Sequence, residues 1–333
     1  MSKGPVVIEV TRGPVVESRH EGIAAVVKAD GTVVDSWGDI DAAILPRSAN
    51  KPIQAMAFVE SGAVERFGLG NEHIALACAS HSGEPRHVET VRAWLKKVGL
   101  SEADLECGTH APRLQTSIEA LAREGVLPTA AFNNCSGKHS GFLTTAVTYG
   151  EPTKGYIKYD HPVQRRLREV MSDLCGVDAN SFPHGTDGCG IPTLATPLRR
   201  LAQAMAAMAD PSRLSSKHAD AAQRIRVAMN AEPFMVAGSG RFCTRINEVA
   251  PGVIQVKTGA EGVFCGMLPT LGLGVAIKMW DGAGRASEIA MAAVLRHLGV
   301  LPANQCEEVL RPPVKNVVGL LVGEMRPAKS WLG

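Results

Sequence analysis

Short runs of apolar and β-branched residues, separated by polar turns, dominate the first forty positions of the chain. Residues 6–10 predict a strand because they are almost continuously apolar. Two further runs, 22–28 and 32–37, flank an Ala29-Asp30-Gly31 turn. An Asp-Gly pair between β-branched runs is a strong signal for a tight turn, so these residues predict a β-hairpin.

In the middle of the chain, roughly residues 48–235, apolar positions recur every three or four residues. This spacing is typical of amphipathic helices. It predicts a helix after Ser48, a helical segment beginning at 101–105, and helices over 87–98, 114–123, 142–147, 161–174, 193–208 and 215–229. A short apolar run, 74–79, predicts a strand or a helix end that opens into the turn 80–85.

The last third of the chain returns to strand-like runs. It predicts strands over 241–249, 253–258, 262–267 and 272–279, and then a helix over 287–298. Strands at both ends and helices between them predict one sheet, built from the N-terminal hairpin and the C-terminal strands, with helices around it. The predicted fold class is α/β (α+β), as a single unit over residues 1–333 without a clear linker.

Composition narrows the class of protein. Of the 333 residues, 45% are hydrophobic and 20% are charged, which favours a globular fold over disorder. A formal net charge of +2 and only 5% aromatic residues argue against a nucleic-acid partner. Because no apolar stretch reaches membrane-spanning length, we also expect no membrane partner.

The cysteines and the N-terminal residues bear on the cellular compartment. Residues 1–20 carry several charges and lack the apolar core of a signal peptide. Eight cysteines are widely scattered, at positions 78, 107, 135, 175, 189, 243, 265 and 306. We therefore expect reduced thiols and a cytoplasmic protein.

The first candidate for chemistry is Arg47-Ser48-Ala49-Asn50-Lys51-Pro52, an S-x-x-K motif at the start of a predicted helix. Ser48 is a favoured N-cap residue, and proline is tolerated in the first turn of a helix. Residues three apart share a helix face, so Lys51 is expected to lie beside the Ser48 hydroxyl and to accept its proton when neutral. The alternative is an ordinary N-cap serine followed by a solvated lysine, because the motif is short.

A second candidate, Lys257-Thr258-Gly259, ends a predicted strand. An S-x-x-K motif followed late in the chain by K-T-G is the order found in serine penicillin-recognising enzymes. The alternative for Lys257 is an ordinary lysine at a strand end. Ser80 has a similar ambiguity, because a serine in a turn often bonds its own backbone.

Two glycine-flanked loops hold Cys135 and Cys189, the first near Lys138 and His139 and the second near Asp187. Thiolates from two separate turns can meet at a tetrahedral metal ion, for which zinc is the best match. The sequence has no C-x-x-C motif, so two unrelated buried thiols are the alternative.

Taken together, five motifs in this order resemble the rhizobial-type, or class 3, L-asparaginases, also called serine–lysine asparaginases. The resemblance covers roughly residues 6–300. The motifs are the S-x-x-K segment 47–52, Ala79-Ser80-His81-Ser82-Gly83-Glu84, Asn134-Cys135-Ser136-Gly137-Lys138-His139, Gly185-Thr186-Asp187-Gly188-Cys189-Gly190 and Lys257-Thr258-Gly259-Ala260-Glu261-Gly262.

The resemblance implies a fold akin to serine β-lactamases and glutaminases, a homodimer, and hydrolysis of L-asparagine. It implies two serine–lysine pairs, Ser48 with Lys51 and Ser80 with Lys257, although Lys278 competes for the last position. It also implies a zinc ion bound by Cys135, Lys138 and Cys189, and a substrate pocket that includes Arg47, His139 and Asp187.

Two other classes of function remain open. One is a penicillin-recognising serine hydrolase or a glutaminase that uses the same S-x-x-K and K-T-G motifs. The other is a non-enzymatic, zinc-binding interaction protein in which Cys135 and Cys189 are structural. Ammonia release from amide substrates distinguishes the amidohydrolases from the rest.

Overall fold

The computed structural model of the protein describes residues 4–302 and 307–332, so Cys306 lies outside the described residues. The strands are β1 (Val6–Arg12), β2 (Val15–Lys28), β3 (Val33–Trp37), β4 (Ala43–Ile44), β5 (His184–Thr186), β6 (Pro192–Leu194), β7 (Thr196–Pro197), β8 (Gln255–Thr258), β9 (Val263–Leu268), β10 (Leu273–Met279), β11 (Pro313–Lys315) and β12 (Leu321–Pro327). The helices are α1 (Lys51–Glu60), α2 (Ala63–Arg66), α3 (Asn71–Ala77), α4 (Pro85–Lys97), α5 (Gln115–Glu124), α6 (Ser136–Tyr149), α7 (Pro162–Cys175), α8 (Leu198–Ala209), α9 (Ser216–Ala231), α10 (Pro233–Ala237), α11 (Phe242–Val249), α12 (Gly284–His297) and α13 (Glu307–Leu310). Within the described residues, these elements form two compact units, one from the ranges 4–49, 196–210, 249–302 and 307–332 and the other from 50–195 and 211–248.

The first unit is built on an eight-stranded antiparallel sheet. The strand order is β11-β12-β1-β2-β10-β9-β8, and β3 also pairs with β2. The long strand β2 pairs with β1 through its first half and with β3 through its second half. The prediction of one sheet from the N-terminal hairpin and the C-terminal strands is therefore confirmed, although it missed β11 and β12.

Two helices of the first unit cover this sheet. Helix α8 packs on β2, β9 and β10, and helix α12 packs on β1, β9, β10 and β12. Every residue of β9 is buried, and successive side chains of a strand point to opposite faces, so both faces of the sheet are covered at β9. This coverage explains why the sequence shows a continuous apolar run there. The predicted α/β fold class is confirmed.

The second unit is mostly helical. Helix α1 packs against α6, α7 and α9, while α3 packs against α6 and α9. Aromatic rings fill part of the core, with Phe58 of α1 and Trp94 of α4 at a ring-centroid distance of 5.2 Å. A short hairpin, β5–β6, also belongs to this unit.

Three predicted elements are wrong. Most of the predicted strand 241–249 forms helix α11 instead. Phe242 and Ile246 are buried, as are Cys243 and Asn247, and residues four positions apart share a helix face. The helix predicted over 193–208 begins only at Leu198, since the residues before it pair as β6 and β7. The segment 101–105 forms only a three-residue 3-10 turn, Glu102–Asp104. Among the described residues, no helix is long and apolar enough to cross a membrane.

Candidate active site

Ser48 lies in a four-residue 3-10 turn, Arg47–Asn50, that precedes helix α1. The predicted N-cap position of Ser48 is wrong, because Asn50 is the N-cap and Lys51 is the first helical residue. Arg47 has a φ of 51°, in the left-handed region that costs free energy for a residue with a side chain. This turn therefore stores backbone strain next to Ser48, a pattern typical of functional sites.

The K-T-G segment at the end of β8 lies against the same turn, within the first unit. A Cβ atom at Gly259 would lie 2.8 Å from the Pro46 carbonyl oxygen, so only glycine allows this close approach. The Lys257 side chain is buried, and its Nζ donates a hydrogen bond to the Thr258 carbonyl at 2.7 Å. Its competitor Lys278 instead donates to the Glu261 carbonyl. The first unit thus holds Arg47, Ser48 and Lys257, and the second holds the other seven predicted site residues.

Lys51 makes the most direct contact between predicted catalytic groups. Its side chain is 0% exposed, so the solvated-lysine alternative is wrong. Its Nζ donates a hydrogen bond to the Ser80 hydroxyl at 3.0 Å and another to the Ala79 carbonyl. Lysine is almost never fully buried without such partners. The structure thus joins Lys51 to Ser80, a contact that the sequence did not predict.

The segment 236–241 holds the loop that follows Ser80. The Ser80 N–H donates to the Val236 carbonyl at 3.0 Å. The Glu84 carboxylate accepts hydrogen bonds from the N–H of Ser239 at 2.8 Å and from its hydroxyl at 2.6 Å. Sequence reasoning missed this contact. The Gly238-Ser239-Gly240 segment, which is typical of a tight turn, was the available signal.

Cys135, Lys138 and Cys189 converge in the second unit. The Lys138 Nζ donates a hydrogen bond to the Cys189 sulfur at 2.9 Å, and all three residues are at most 4% exposed. A hydrogen bond from the Cys189 thiol to the Cys135 sulfur lowers the pKa of Cys135 well below its usual range and raises that of Cys189. Burial opposes the charge on Lys138, but the two sulfurs outweigh it and raise the pKa of its amine. The alternative of two unrelated thiols is therefore wrong.

Cys135, Lys138 and Cys189 can bind a metal ion only if Lys138 and Cys189 release their protons. Among the described residues, no group of three or more His, Cys, Asp or Glu side chains is arranged to hold a metal. The available donors are two sulfurs and one lysine nitrogen, which suit a soft ion such as zinc once Lys138 and Cys189 are deprotonated.

Backbone contacts join the Cys135 loop to the Ser80 loop. A Cβ atom at Gly137 would lie 2.4 Å from the Leu76 carbonyl oxygen, so the start of α6 packs directly on the end of α3. The His81 N–H donates to the Asn134 carbonyl at 3.2 Å. Its ring Nε2 donates to the Ser136 hydroxyl at 2.9 Å, because its Nδ1 accepts from the Gly83 N–H. Direct contacts therefore join the loop that contains Ser80 to the loop that contains Cys135.

His139 and Asp187 lie beside this cluster. The His139 ring is fully buried, and its Nδ1 is 2.7 Å from the Tyr156 hydroxyl. Burial, together with the charges of Lys138 and Lys51, lowers the pKa of His139 well below its usual value. Asp187 follows strand β5 and is half-buried, with one carboxylate oxygen accepting from the Gly188 N–H at 2.8 Å. The Cys189 sulfur lies 3.7 Å from its other oxygen.

A search of solved structures finds several that are similar to this chain. They include a β-lactamase from Mycobacterium bovis, with 13% identity over 83% of this chain and 94% of that chain and a TM-score of 0.42. A putative β-lactamase from Bacteroides dorei has 16% identity over 78% of this chain and 84% of that one, with a TM-score of 0.40. A protein named Mglu has 14% identity over 85% of this chain and 66% of that one, with a TM-score of 0.48. Similarities at this level indicate nothing about substrate.

The sequence as a whole gives a more specific match. A search of curated proteins finds no significant relative. The family model described as L-asparaginase II, however, matches residues 8–327, which is nearly the whole chain and includes every predicted site residue. The chain belongs to the L-asparaginase II family.

Proposed function

We propose that this protein hydrolyses L-asparagine to L-aspartate and ammonia, as a zinc-containing, rhizobial-type member of its family. The observation that carries the proposal is the fully buried Lys51 amine, which donates a hydrogen bond to the Ser80 hydroxyl. In the chain, Lys51 lies three residues after Ser48. A buried amine that contacts a serine hydroxyl is suited to move protons during acyl transfer. The family match supports an amide as the substrate.

In the proposed reaction, the Ser48 hydroxyl attacks the side-chain amide carbon while Lys51, in its neutral form, accepts the hydroxyl proton. The tetrahedral intermediate collapses when that proton passes to the amide nitrogen and ammonia leaves, which gives an aspartyl ester of Ser48. A water molecule then attacks the ester and releases aspartate. Ser80 and Lys257 are assigned to relay protons or to activate this water.

A zwitterionic substrate needs groups of both charges. We assign Arg47 to the α-carboxylate, because a guanidinium binds a carboxylate with two parallel hydrogen bonds. We assign Asp187 to the α-ammonium group, and its half-buried carboxylate supports this role. His139, buried beside the charged cluster, is assigned to the same pocket.

We also propose that Cys135, Lys138 and Cys189 hold a zinc ion. When bound, zinc would supply a positive charge to two thiolates and fix their loops. Two thiolates leave the ion little net charge, so we assign it a positional role. Metal analysis of freshly purified protein tests this site, with Cys135→Ala and Cys189→Ala each expected to lose stoichiometric zinc. Wild-type protein that carries no zinc and gains none on titration would show that the assignment is wrong.

Two further expectations complete the proposal. The seven cysteines that the structure describes are buried thiols, which supports a cytoplasmic location. A homodimer is the expected assembly, and size-exclusion chromatography with light scattering measures it.

Ammonia release from L-asparagine and L-glutamine, together with hydrolysis of a chromogenic β-lactam, tests the function. We expect L-asparagine to be the best substrate of the wild-type protein. Ser48→Ala should lose this activity. The matched control is Ser36→Ala, at an exposed serine of strand β3, which should keep it. Turnover of glutamine or of the β-lactam alone would favour the penicillin-recognising or glutaminase alternative. No turnover in a zinc-loaded protein would favour the interaction protein.

A further inference from the structure

The His139 imidazole and the Tyr156 hydroxyl form a fully buried pair in the second unit. Both residues are 0% exposed, and the hydroxyl oxygen lies 2.7 Å from the ring Nδ1. The same hydroxyl oxygen accepts a hydrogen bond from the Glu106 N–H at 2.8 Å. The question is which of the two groups carries the proton between them.

The contacts of the hydroxyl answer this question. Burial raises the pKa of Tyr156 above its ordinary value, so the hydroxyl keeps its proton. Among the described residues, His139 Nδ1 is the hydrogen-bond acceptor that this proton can reach. Tyr156 therefore donates and Nδ1 accepts. An imidazole whose Nδ1 accepts a hydrogen bond is neutral, and it carries its own proton on Nε2.

The other nitrogen of the ring, Nε2, is in a different situation. Among the residues that the structure describes, no atom forms a hydrogen bond with His139 Nε2, although this atom is buried. A buried N–H without a partner is costly and rare in native proteins, and ligands are a common explanation. The charges of Lys51 and Lys138 act on this ring, which places it among the groups of the candidate active site.

We propose that Tyr156 is a positioning residue that fixes His139 as the Nε2–H tautomer, so that Nε2 donates a hydrogen bond to an oxygen atom of the bound substrate. This inference rests on the proposed function for the identity of the substrate. A neutral N–H recognises a carboxylate or amide oxygen and cannot recognise the α-ammonium group. His139 therefore binds a carboxylate or amide oxygen of the substrate, and Asp187 binds its α-ammonium group.

A spectroscopic experiment tests the tautomer without any assumption about activity. In protein with ¹⁵N-labelled histidine, two-bond ¹⁵N–¹H correlation spectra should show His139 protonated at Nε2, with its signals assigned by their loss in His139→Gln. Tyr156→Phe should change this pattern to a mixture of tautomers, while Tyr149→Phe, at a partly exposed tyrosine, should not. A wild-type ring protonated at Nδ1, or an unchanged pattern in Tyr156→Phe, would overturn the proposal. Because the wild-type spectrum alone decides the tautomer, the test holds even if Tyr156→Phe fails to fold.

A kinetic experiment tests the role of the donor. The amide nitrogen of glutamine occupies nearly the place of Nε2, whereas that of asparagine lies nearer to Nδ1. His139→Gln should therefore keep KM for L-asparagine close to the wild-type value, and His139→Asn should raise it by roughly tenfold or more, as for loss of a hydrogen bond to a charged group. Equal KM values in the two variants would overturn the role in substrate binding. If the protein does not hydrolyse L-asparagine, the same comparison with Kd for L-aspartate separates failure of this inference from failure of the proposed function.

Discussion

Among the described residues, three lysines have side chains that are no more than 2% exposed, namely Lys51, Lys138 and Lys257. Burying an amine is costly unless its protons are hydrogen-bonded, so each of these residues needs specific partners. Lys51 has the Ser80 hydroxyl and the Ala79 carbonyl, and Lys138 has the Cys189 sulfur. The S-x-x-K spacing predicted a catalytic role for Lys51. The partner Ser80 lies 29 residues away in the chain, and local spacing carries no information on such a contact.

At the residue scale, replacing Lys51 tests whether its amine acts in the reaction or only in folding. Lys51→Met keeps most of the side-chain volume and removes the buried amine. We expect kcat to fall by roughly 10³-fold or more, because replacing a residue that acts as a unit with the nucleophile severely lowers the rate. The midpoint of urea unfolding should stay close to the wild-type value, since apolar replacement of a buried ionisable group is often tolerated.

The control for this measurement is Lys96→Met, at an exposed lysine of helix α4. It should leave both kcat and stability unchanged. Comparable turnover in Lys51→Met and Lys96→Met would contradict a catalytic role for Lys51.

At the scale of elements, the site depends on how two helix ends meet. Helix α3 ends just before Ser80, and helix α6 begins just after Cys135. The sequence placed the start of α6 too late, near residue 142, because Ser136-Gly137-Lys138-His139 lacks apolar periodicity and contains glycine. Packing against α3 makes this segment helical in spite of its composition, an effect that local propensity does not reveal.

Two glycines of helix α6 give a matched test of this contact. A Cβ atom at Gly137 would lie 2.4 Å from the backbone oxygen of Leu76, whereas a Cβ atom at Gly141 would meet its nearest neighbours at an ordinary 3.6 Å. We expect Gly137→Ala to destabilise the protein by about 1–3 kcal/mol, the usual cost of overpacking. Gly141→Ala should be neutral or stabilising by up to about 1 kcal/mol, because alanine is the better helix former. Urea unfolding measures both values, and equal midpoints for the two variants would contradict the close contact.

A second feature at this scale is a histidine that links three helices of the second unit. His218 of α9 bonds Glu60 of α1 at 2.6 Å and Asp173 of α7 at 3.0 Å. The hydrogen bond with Glu60 is the main cause that raises the pKa of His218 to about 9. Since the folded pKa lies above the unfolded value of about 6.5, the stabilisation is fully present below pH ~6.5 and is lost as the pH rises through about 9.

His218→Gln should therefore lower the free energy of unfolding at pH 6 by about 1 kcal/mol, a figure reduced for solvent screening because Asp173 is largely exposed. At pH 10 the deficit should be smaller. Urea unfolding at the two pH values gives the comparison, with His184→Gln, at an exposed histidine, as the control. The same deficit at both pH values would show that His218 is not held in its charged form.

At the scale of the whole molecule, the sequence predicted the order of strands and helices along the chain well. It did not predict how these elements divide into two compact units. Strand runs at both ends of the sequence correctly indicated one shared sheet, because apolar runs between turn residues are a local signal. The division into two compact units was not visible, since each unit draws on separated segments and no linker marks the change. The predicted site residues are likewise divided between the units, with Arg47, Ser48 and Lys257 in the first.

The central claim is that Ser48 becomes covalently attached to the aspartyl group of L-asparagine. Mixing the protein with L-asparagine, quenching in acid within the first turnovers and mapping peptides by mass spectrometry tests this claim most directly. The account predicts an aspartyl ester on the peptide that contains Ser48 and its absence in Ser48→Ala. An ester on Ser80, or turnover of L-asparagine in Ser48→Ala at the wild-type rate, would contradict it.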